Sequence, residues 1–270
     1  RGQMKIEILF PEYANLVGDM GNMLYLKGCL PQAEFIETPI TTAAPLFATE
    51  APALVYMGPM AEAAQEKAIA RLAPNKGRIA QLIEGGTCFL FTGNAMEVLF
   101  KEIRDGGRVI PGLGLLDLTA VRNFEHRYNA NFLGDFQGMP LLGCKSQFTL
   151  AYGDNSQNYF AKAEPGRGSG LNRETPLEGV KQNNFIGTYL IGPLLVMNPG
   201  FTRWLLQAMG VGAPALAHEE AVELAYAQRL KEFRDPLVHM EKEGDTNQLR
   251  IDFSPKSWYN LLKSKLRKKG

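Results

Sequence analysis

Short apolar runs alternate with helical patterns through the first half of the chain. Runs of mostly aliphatic and aromatic residues predict buried strands over 5–10, 34–36, 53–57 and 87–91. Apolar positions three and four residues apart predict helices over 19–27, 61–71, 75–84 and 95–103. This alternation, with few polar breaks, is typical of a mostly parallel sheet that helices cover on both faces.

The second half has a more β-rich pattern. Turn residues separate further predicted strands over 115–121, 139–142, 148–151, 159–163 and 185–191, and helices follow over 201–209 and 218–233. No internal repeat and no long linker interrupts the chain, so we expect one α/β domain over 4–235. Beyond it we predict a C-terminal helical extension over 236–270, with an apolar stripe formed by Trp258, Leu261, Leu262 and Leu266.

Composition and charge narrow the class of protein. Hydrophobic residues make up 45% and charged residues 21%, which excludes a disordered chain, and a net charge of +1 argues against a dedicated nucleic-acid binder. The longest apolar runs are too short for a transmembrane helix, so we expect a cytoplasmic protein whose native start is Met4. Six basic and no acidic residues fall in 253–270, which predicts a docked terminal helix with a solvated basic face or, alternatively, a contact with an anionic partner.

Cysteine and histidine are scarce. Three cysteines (Cys29, Cys88, Cys144) and three histidines (His126, His218, His239) are scattered along the chain. Their spacing suits neither a disulfide framework nor a metal site, so we expect no metal and no cofactor. The glycine-rich stretch 166–170 lacks the Gly-Lys-Ser/Thr ending of a phosphate-binding loop and is interpreted as a flexible loop.

The pattern over 89–100 is that of a buried strand that turns sharply into a helix. Such an elbow displays a nucleophile on the turn, close to backbone N–H groups that stabilise an oxyanion. Here the turn residues are Thr92, Gly93 and Asn94.

Several ordered segments carry a resemblance to a known family. Asn15–Asn22 is similar to N-L-x-x-D-x-G-N, 112–117 to G-L-G-[IL]-L-[DP], and 187–193 to G-T-Y-L-H-G-P at six of seven positions. Over about residues 5–235 the chain resembles class I glutamine amidotransferases of the cobyric acid synthase type, especially the glutaminase subunit of lipid II isoglutaminyl synthase. The resemblance implies a flavodoxin-like fold, a glutaminase site and a Mur-ligase-like or other ATP-dependent ligase partner in bacterial peptidoglycan precursor amidation.

The two catalytic positions of that family are replaced. Aligning Glu97 with the Gln of the elbow segment C-x-G-Y-Q-x-L-G puts Gly93 at the nucleophilic cysteine, while another register puts Thr92 there. Ile191 stands at the catalytic histidine. By the same resemblance, the residues that would line a ligand pocket are Gly58, Thr92, Gly93, Asn94, Glu97 and Arg127, with Glu97 making the rim more acidic.

Three hypotheses follow. The chain is a catalytically degenerate amidotransferase-like subunit that acts by binding, a working amidotransferase with displaced catalytic residues, or a stand-alone module for a small, amino-acid-like ligand. The second hypothesis needs other residues to replace the catalytic pair. We expect Cys88 to be a buried core residue, Cys144 to be a packed cysteine, and His218 to be a helix-capping or surface residue. His126, beside Arg127, is the one histidine expected near the pocket.

Overall fold

Residues 2–241 are described by the structure, a computed structural model. Its strands are β1 (Lys5–Leu9), β2 (Glu34–Thr38), β3 (Leu54–Met57), β4 (Cys88–Thr92), β5 (Phe100–Asp105), β6 (Arg108–Pro111), β7 (Leu116–Arg122), β8 (Tyr128–Phe136), β9 (Met139–Gln147), β10 (Thr149–Tyr152), β11 (Ala161–Ala163), β12 (Leu177–Glu178), β13 (Val180–Gln182) and β14 (Phe185–Thr188). Its α-helices are α1 (Gly21–Cys29), α2 (Glu62–Leu72), α3 (Lys76–Glu84), α4 (Leu194–Met197), α5 (Pro199–Ala208) and α6 (Glu219–Arg234).

A six-stranded sheet forms the centre of the fold. Its strand order is β13-β14-β4-β3-β1-β2, and every neighbouring pair is parallel except β13 with β14. Successive side chains of a strand point to opposite faces of the sheet, so each strand contributes side chains to two hydrophobic cores. Val55 and Phe89 pack in one core with residues of α2 and α3, whereas Tyr56 and Leu90 pack in the other with residues of α1 and α5. The predicted parallel sheet with helices on both faces is therefore confirmed.

Two smaller four-stranded sheets carry the β-rich part of the chain. Their orders are β10-β7-β5-β6 and β12-β11-β8-β9. Strands β5, β6, β8 and β12 of these sheets were not predicted from the pattern. The hairpin from β5 to β6 turns at Gly106 and Gly107, and Gly106 has the positive φ of 57° that such turns favour.

The predicted helix over 95–103 is wrong. A 3-10 helix spans Gly93–Leu99, and β5 follows it directly. Residues 95–100 are all fully buried, so this stretch has no polar face that an amphipathic helix would turn to solvent. Further on, Phe100 and Ile103 are buried while Lys101 and Arg104 are exposed, and β5 pairs with both β6 and β7. Tertiary pairing therefore decides the conformation of this segment.

A buried ion pair joins the β-rich part to the central sheet. Lys145 Nζ in β9 lies 2.6 Å from Glu178 Oε2 in β12, and both side chains are at most 1% exposed. The other carboxylate oxygen, Glu178 Oε1, accepts hydrogen bonds from Thr188 Oγ1 and Tyr189 N, both at 2.8 Å. Lys145 also donates to the carbonyls of Ser169 and Gly170, which gives the glycine-rich loop a structural role. The pair therefore fixes the chain just before Ile191.

Other expectations concern the ends of the chain and the membrane. Residues 242–270 of the predicted C-terminal extension, which include its apolar stripe and its six basic residues over 253–270, lie outside the described residues. Residues 240 and 241 pack beside β8, where Asn131 N donates to Met240 O at 2.6 Å. Within 2–241, no helix combines the length and apolarity needed to cross a membrane.

Removing one partner of the buried ion pair is predicted to be costly. Lys145→Met leaves the Glu178 carboxylate buried without its cation, so we expect a loss of about 3–5 kcal/mol in the free energy of unfolding, measured by urea denaturation. The double variant Lys145→Met/Glu178→Gln should lose less, because no charge is then stranded. Lys5→Met removes the exposed pair with Glu50 and should leave the urea midpoint nearly unchanged. Equal losses for Lys145→Met and Lys5→Met would contradict this account.

Candidate functional site

The candidate site lies at the carboxyl ends of the parallel strands. Strands β3, β4 and β14 are adjacent and parallel, so the segments that follow them meet at one edge of the sheet. A cavity of about 170 Å³ opens there. Residues from these segments and from β9 line it, among them Pro59, Met60, Gly93, Asn94, Arg127, Gln147, Tyr189 and Ile191. Ligand sites of open α/β sheets occur at this edge.

The turn after β4 keeps a left-handed conformation. Gly93 has φ +59°, a backbone conformation that is strained for any residue with a side chain. The turn enters a 3-10 helix rather than the α-helix that a nucleophile elbow requires. Asn94 holds the turn against the next loop, because its Oδ1 accepts from Met60 N at 2.9 Å and its Nδ2 donates to Met60 O at 2.7 Å.

Pro59 occupies the space beside Gly93. A Cβ atom added to Gly93 would lie 2.6 Å from Pro59 Cβ and 3.4 Å from Pro59 Cα. Contacts under 3.0 Å need a displacement of one of the two segments. Pro59 itself is held in place, since its carbonyl accepts from Leu16 N at 3.1 Å. The position aligned with the nucleophile is thus closed by packing.

Ile191 faces the same cavity as Gly93. It is 7% exposed, and its backbone forms an isolated antiparallel bridge with Cys144 in β9. Ile191 N donates to Cys144 O at 2.9 Å, and Cys144 N donates to Ile191 O at 3.1 Å. Gly93 and Ile191, the two positions that the resemblance aligns with the catalytic pair, therefore line one cavity. The first has no side chain, and the second has an apolar one.

A buried carboxylate ties the strand ends to one another. Asp19 is fully buried; Tyr56 Oη donates to its Oδ2 at 3.0 Å, Thr92 Oγ1 donates to the same oxygen, and Gly192 N donates to Oδ1 at 3.4 Å. Burial raises the pKa of Asp19, and the bonds from Thr92 and Tyr56 partly offset that rise. The hydroxyl of Thr92 is thereby committed to Asp19, and Thr92 is fully buried rather than lining the cavity.

Glu97 lies away from the rim where it was expected. It is fully buried behind the cavity, with Gln65 Nε2 donating to Oε2 at 2.7 Å and Tyr189 Oη donating to Oε1 at 2.8 Å. The reason is the 3-10 helix, which turns this side chain toward α2 instead of along the face of an α-helix. Burial raises the pKa of Glu97, while the hydrogen bonds from Gln65 and Tyr189 lower it.

Gly58 also has a packing role rather than a place in the cavity wall. A Cβ atom there would lie 2.7 Å from the carbonyl oxygen of Ala14 and 2.9 Å from Tyr56 Oη. Glycine at this position lets the segment after β1 approach the end of β3 closely. Gly93, Asn94 and Arg127 are the expected ligand-binding positions that do line the cavity.

Arg127 and Gln147 provide the cavity with two polar groups. The guanidinium of Arg127 stacks over the Phe148 ring at 4.4 Å from its centroid, and its hydrogen bond to Ser146 Oγ is long at 3.5 Å. Gln147 is 9% exposed and donates through Nε2 to Thr149 O at 2.6 Å, while its buried Oε1 has no hydrogen-bond partner within residues 2–241. Gln147 was not singled out in the sequence, because its position beside the cavity depends on the unpredicted pairing of β8 and β9.

The remaining cysteines and histidines lie outside the cavity wall. Cys88 is 1% exposed within β4, and burial raises the pKa of its thiol to about 12. Cys144 Sγ lies 3.5 Å from Asn131 Oδ1. All three histidines are exposed and none lines the cavity; His218 precedes α6 without a capping hydrogen bond from its side chain. Within residues 2–241, no group of three or more His, Cys, Asp or Glu side chains is arranged to hold a metal ion.

Comparisons with known proteins bear on the fold. No family model matches the chain, and no curated protein matches its sequence. A solved glutamine amidotransferase is similar, with a TM-score of 0.50, 15% identity, and coverage of 76% of this chain and 99% of its own. Two Thermotoga maritima structures, PurLQS and a glutamine amidotransferase, give TM-scores of 0.49 and 0.48 at 12% and 11% identity. They cover 85% and 86% of this chain and 100% and 93% of their own. The chain has the flavodoxin-like fold of class I glutamine amidotransferases.

Proposed function

We propose that this protein is a glutamine amidotransferase-like binding or regulatory subunit that does not hydrolyse glutamine. The observation that carries the proposal is the pairing of Gly93 and Ile191 in the wall of one cavity. Hydrolysis of the amide would need a thiolate to attack the carbon and a base to handle its proton, and neither side chain supplies either function.

Among the described residues, Thr92 and Cys88 are not placed to take over these roles. A hydroxyl nucleophile needs a base beside it, and Thr92 Oγ1 instead donates to the buried Asp19 carboxylate. Cys88 lies within a buried strand, and its raised pKa keeps it a thiol. Asp19 already receives three donors, and the fully buried Thr92 does not line the cavity. These contacts argue against a working glutaminase with displaced residues.

The closed nucleophile position supports the same conclusion. Pro59 stands where the side chain of residue 93 would begin, and Leu16 N holds the Pro59 carbonyl. A working elbow would need this space for its nucleophile and for the amide carbon. The packing of Pro59 against Gly93 therefore supports a binding role at this site rather than hydrolysis of glutamine.

The finer assignment follows the sequence resemblance. We place the protein with the cobyric acid synthase type, nearest the lipid II isoglutaminyl synthase glutaminase, acting in the bacterial cytoplasm on cell-wall precursors. A Mur-ligase-like or other ATP-dependent ligase would be its partner, and a small amino-acid-like molecule its ligand. Co-purification with such a ligase tests the partner.

Glutamine hydrolysis is the first test. We expect the purified protein to release no ammonia from glutamine above the buffer level, with or without an added ligase, because no nucleophile and base meet in the cavity. Thr92→Ala and Cys88→Ala should not change that result. Ammonia release that disappears in either variant would establish a working site with displaced residues and overturn the proposal.

A substitution at residue 93, with the free energy of unfolding as the measurement, tests the packing there. Gly93→Ala forces a side chain into the left-handed region and against Pro59, so we expect a loss of about 2–4 kcal/mol in the free energy of unfolding. Gly77→Ala is the matched control, because in α3 its Cβ would meet nothing within 4 Å, and it should be neutral or stabilising by up to about 1 kcal/mol. A fully stable Gly93→Ala variant would show that the site has room for a nucleophile.

A further inference from the structure

The cavity at the sheet edge has a mainly apolar wall. Ile191, Met60 and Pro59 form part of it, and all three are buried. At its mouth, Leu16 and Val17 are 42% and 53% exposed, although both are large apolar side chains. An apolar group in the cavity would cover these surfaces and be stabilised by leaving water.

Most of the polar groups in the wall are already engaged. Both amide atoms of Asn94 bond to the Met60 backbone, Tyr189 Oη donates to Glu97, and Ser146 Oγ donates to Asn129 Oδ1 at 2.8 Å. A ligand with a polar side chain would therefore find few partners beside Ile191 and Met60. Burying an amide without partners costs free energy, so such a wall selects against one.

Three polar groups remain to hold the head of a ligand. Within the part of the chain that the structure describes, the guanidinium of Arg127 makes one long hydrogen bond, and a guanidinium suits a carboxylate. Glu62 also lines the cavity, and a carboxylate suits an ammonium group. Gln147 Oε1 is a buried acceptor without a partner, and a donor on the cavity's occupant would satisfy it.

From this juxtaposition we infer that the cavity binds an α-amino acid with an apolar side chain, of about the size of leucine, in preference to glutamine. Arg127 binds the carboxylate, Glu62 and Gln147 face the amino group, and Ile191, Met60 and Val17 surround the side chain. The inference rests on the proposed binding function and specifies its ligand. A cavity of about 170 Å³ is below the range of about 300–1,000 Å³ for drug-sized ligands, which agrees with a molecule this small.

Calorimetric titration with leucine and with glutamine tests the inference. We expect saturable one-to-one binding of leucine, at least tenfold tighter than that of glutamine. Arg127→Met should weaken leucine binding at least tenfold, since it removes the partner of the carboxylate. Arg104→Met is the matched control: Arg104 is also an exposed arginine, on β5, and does not line the cavity, so leucine affinity should stay within twofold.

Three results would overturn the inference: no saturable binding of leucine, glutamine binding as tightly as leucine, or leucine binding that Arg127→Met leaves unchanged. Arg127 is exposed, so circular dichroism and thermal unfolding should confirm that the variant folds. Ammonia is measured in the same glutamine samples. Release of ammonia would refute the proposed function, whereas tight glutamine binding without ammonia would refute only the ligand assignment.

Discussion

The buried Asp19 carboxylate is the contact on which the geometry of the site depends. It receives hydrogen bonds from the ends of β3 and β4, through Tyr56 and Thr92, and from the segment after β14, through Gly192 N. An isolated buried carboxylate is unfavourable, but one that accepts several hydrogen bonds is tolerated and fixes its donors. Three strand ends that would otherwise be joined only by the sheet are held at one carboxyl group, and the cavity forms beside them.

A second buried carboxylate, that of Glu178, holds the carboxyl end of β14 against β9. Glu178 binds Lys145 of β9 and also Thr188 and Tyr189, just before Ile191. The backbone bridge between Ile191 and Cys144 then joins that segment to β9. These contacts fix the backbone on both sides of residue 191, whose side chain is that of isoleucine. The fold constrains the backbone at this site, whereas the chemistry that the site can perform depends on its side chains.

The sequence predicts the central sheet well and the β-rich part poorly. Strands such as β3 and β4 are continuous apolar runs bounded by turn residues, and that pattern has one common explanation in a parallel sheet. The segment 95–103 has equally apolar residues but is buried on all sides, so periodicity cannot distinguish helix from strand there. Its conformation depends on β6 and β7, which are partners that a local pattern does not reveal.

Some residues of the candidate site could likewise be found from the sequence, and others could not. Gly93 and Ile191 were found by alignment with short segments, and the structure brings both to one cavity. Gln147 and Glu62 were missed, because a lone glutamine or glutamate in a sequence carries no signal of its surroundings. Glu97 was misplaced because the resemblance assigned it to the rim, whereas the 3-10 helix that contains it is buried on all sides. A buried carboxylate held by Gln65 and Tyr189 became apparent only from the tertiary contacts.

The central proposal is that, within residues 2–241, the carboxyl ends of the parallel strands hold no nucleophile able to attack a glutamine side chain. The most direct measurement is the intact mass of the protein after incubation with an electrophilic glutamine analogue, such as a diazoketone, that alkylates the nucleophile of a working site. The account predicts an unchanged mass, because residue 93 is glycine and Thr92 and Cys88 are buried. A stoichiometric adduct, located by peptide mapping on a residue at the carboxyl ends of β3, β4 or β14, would contradict it.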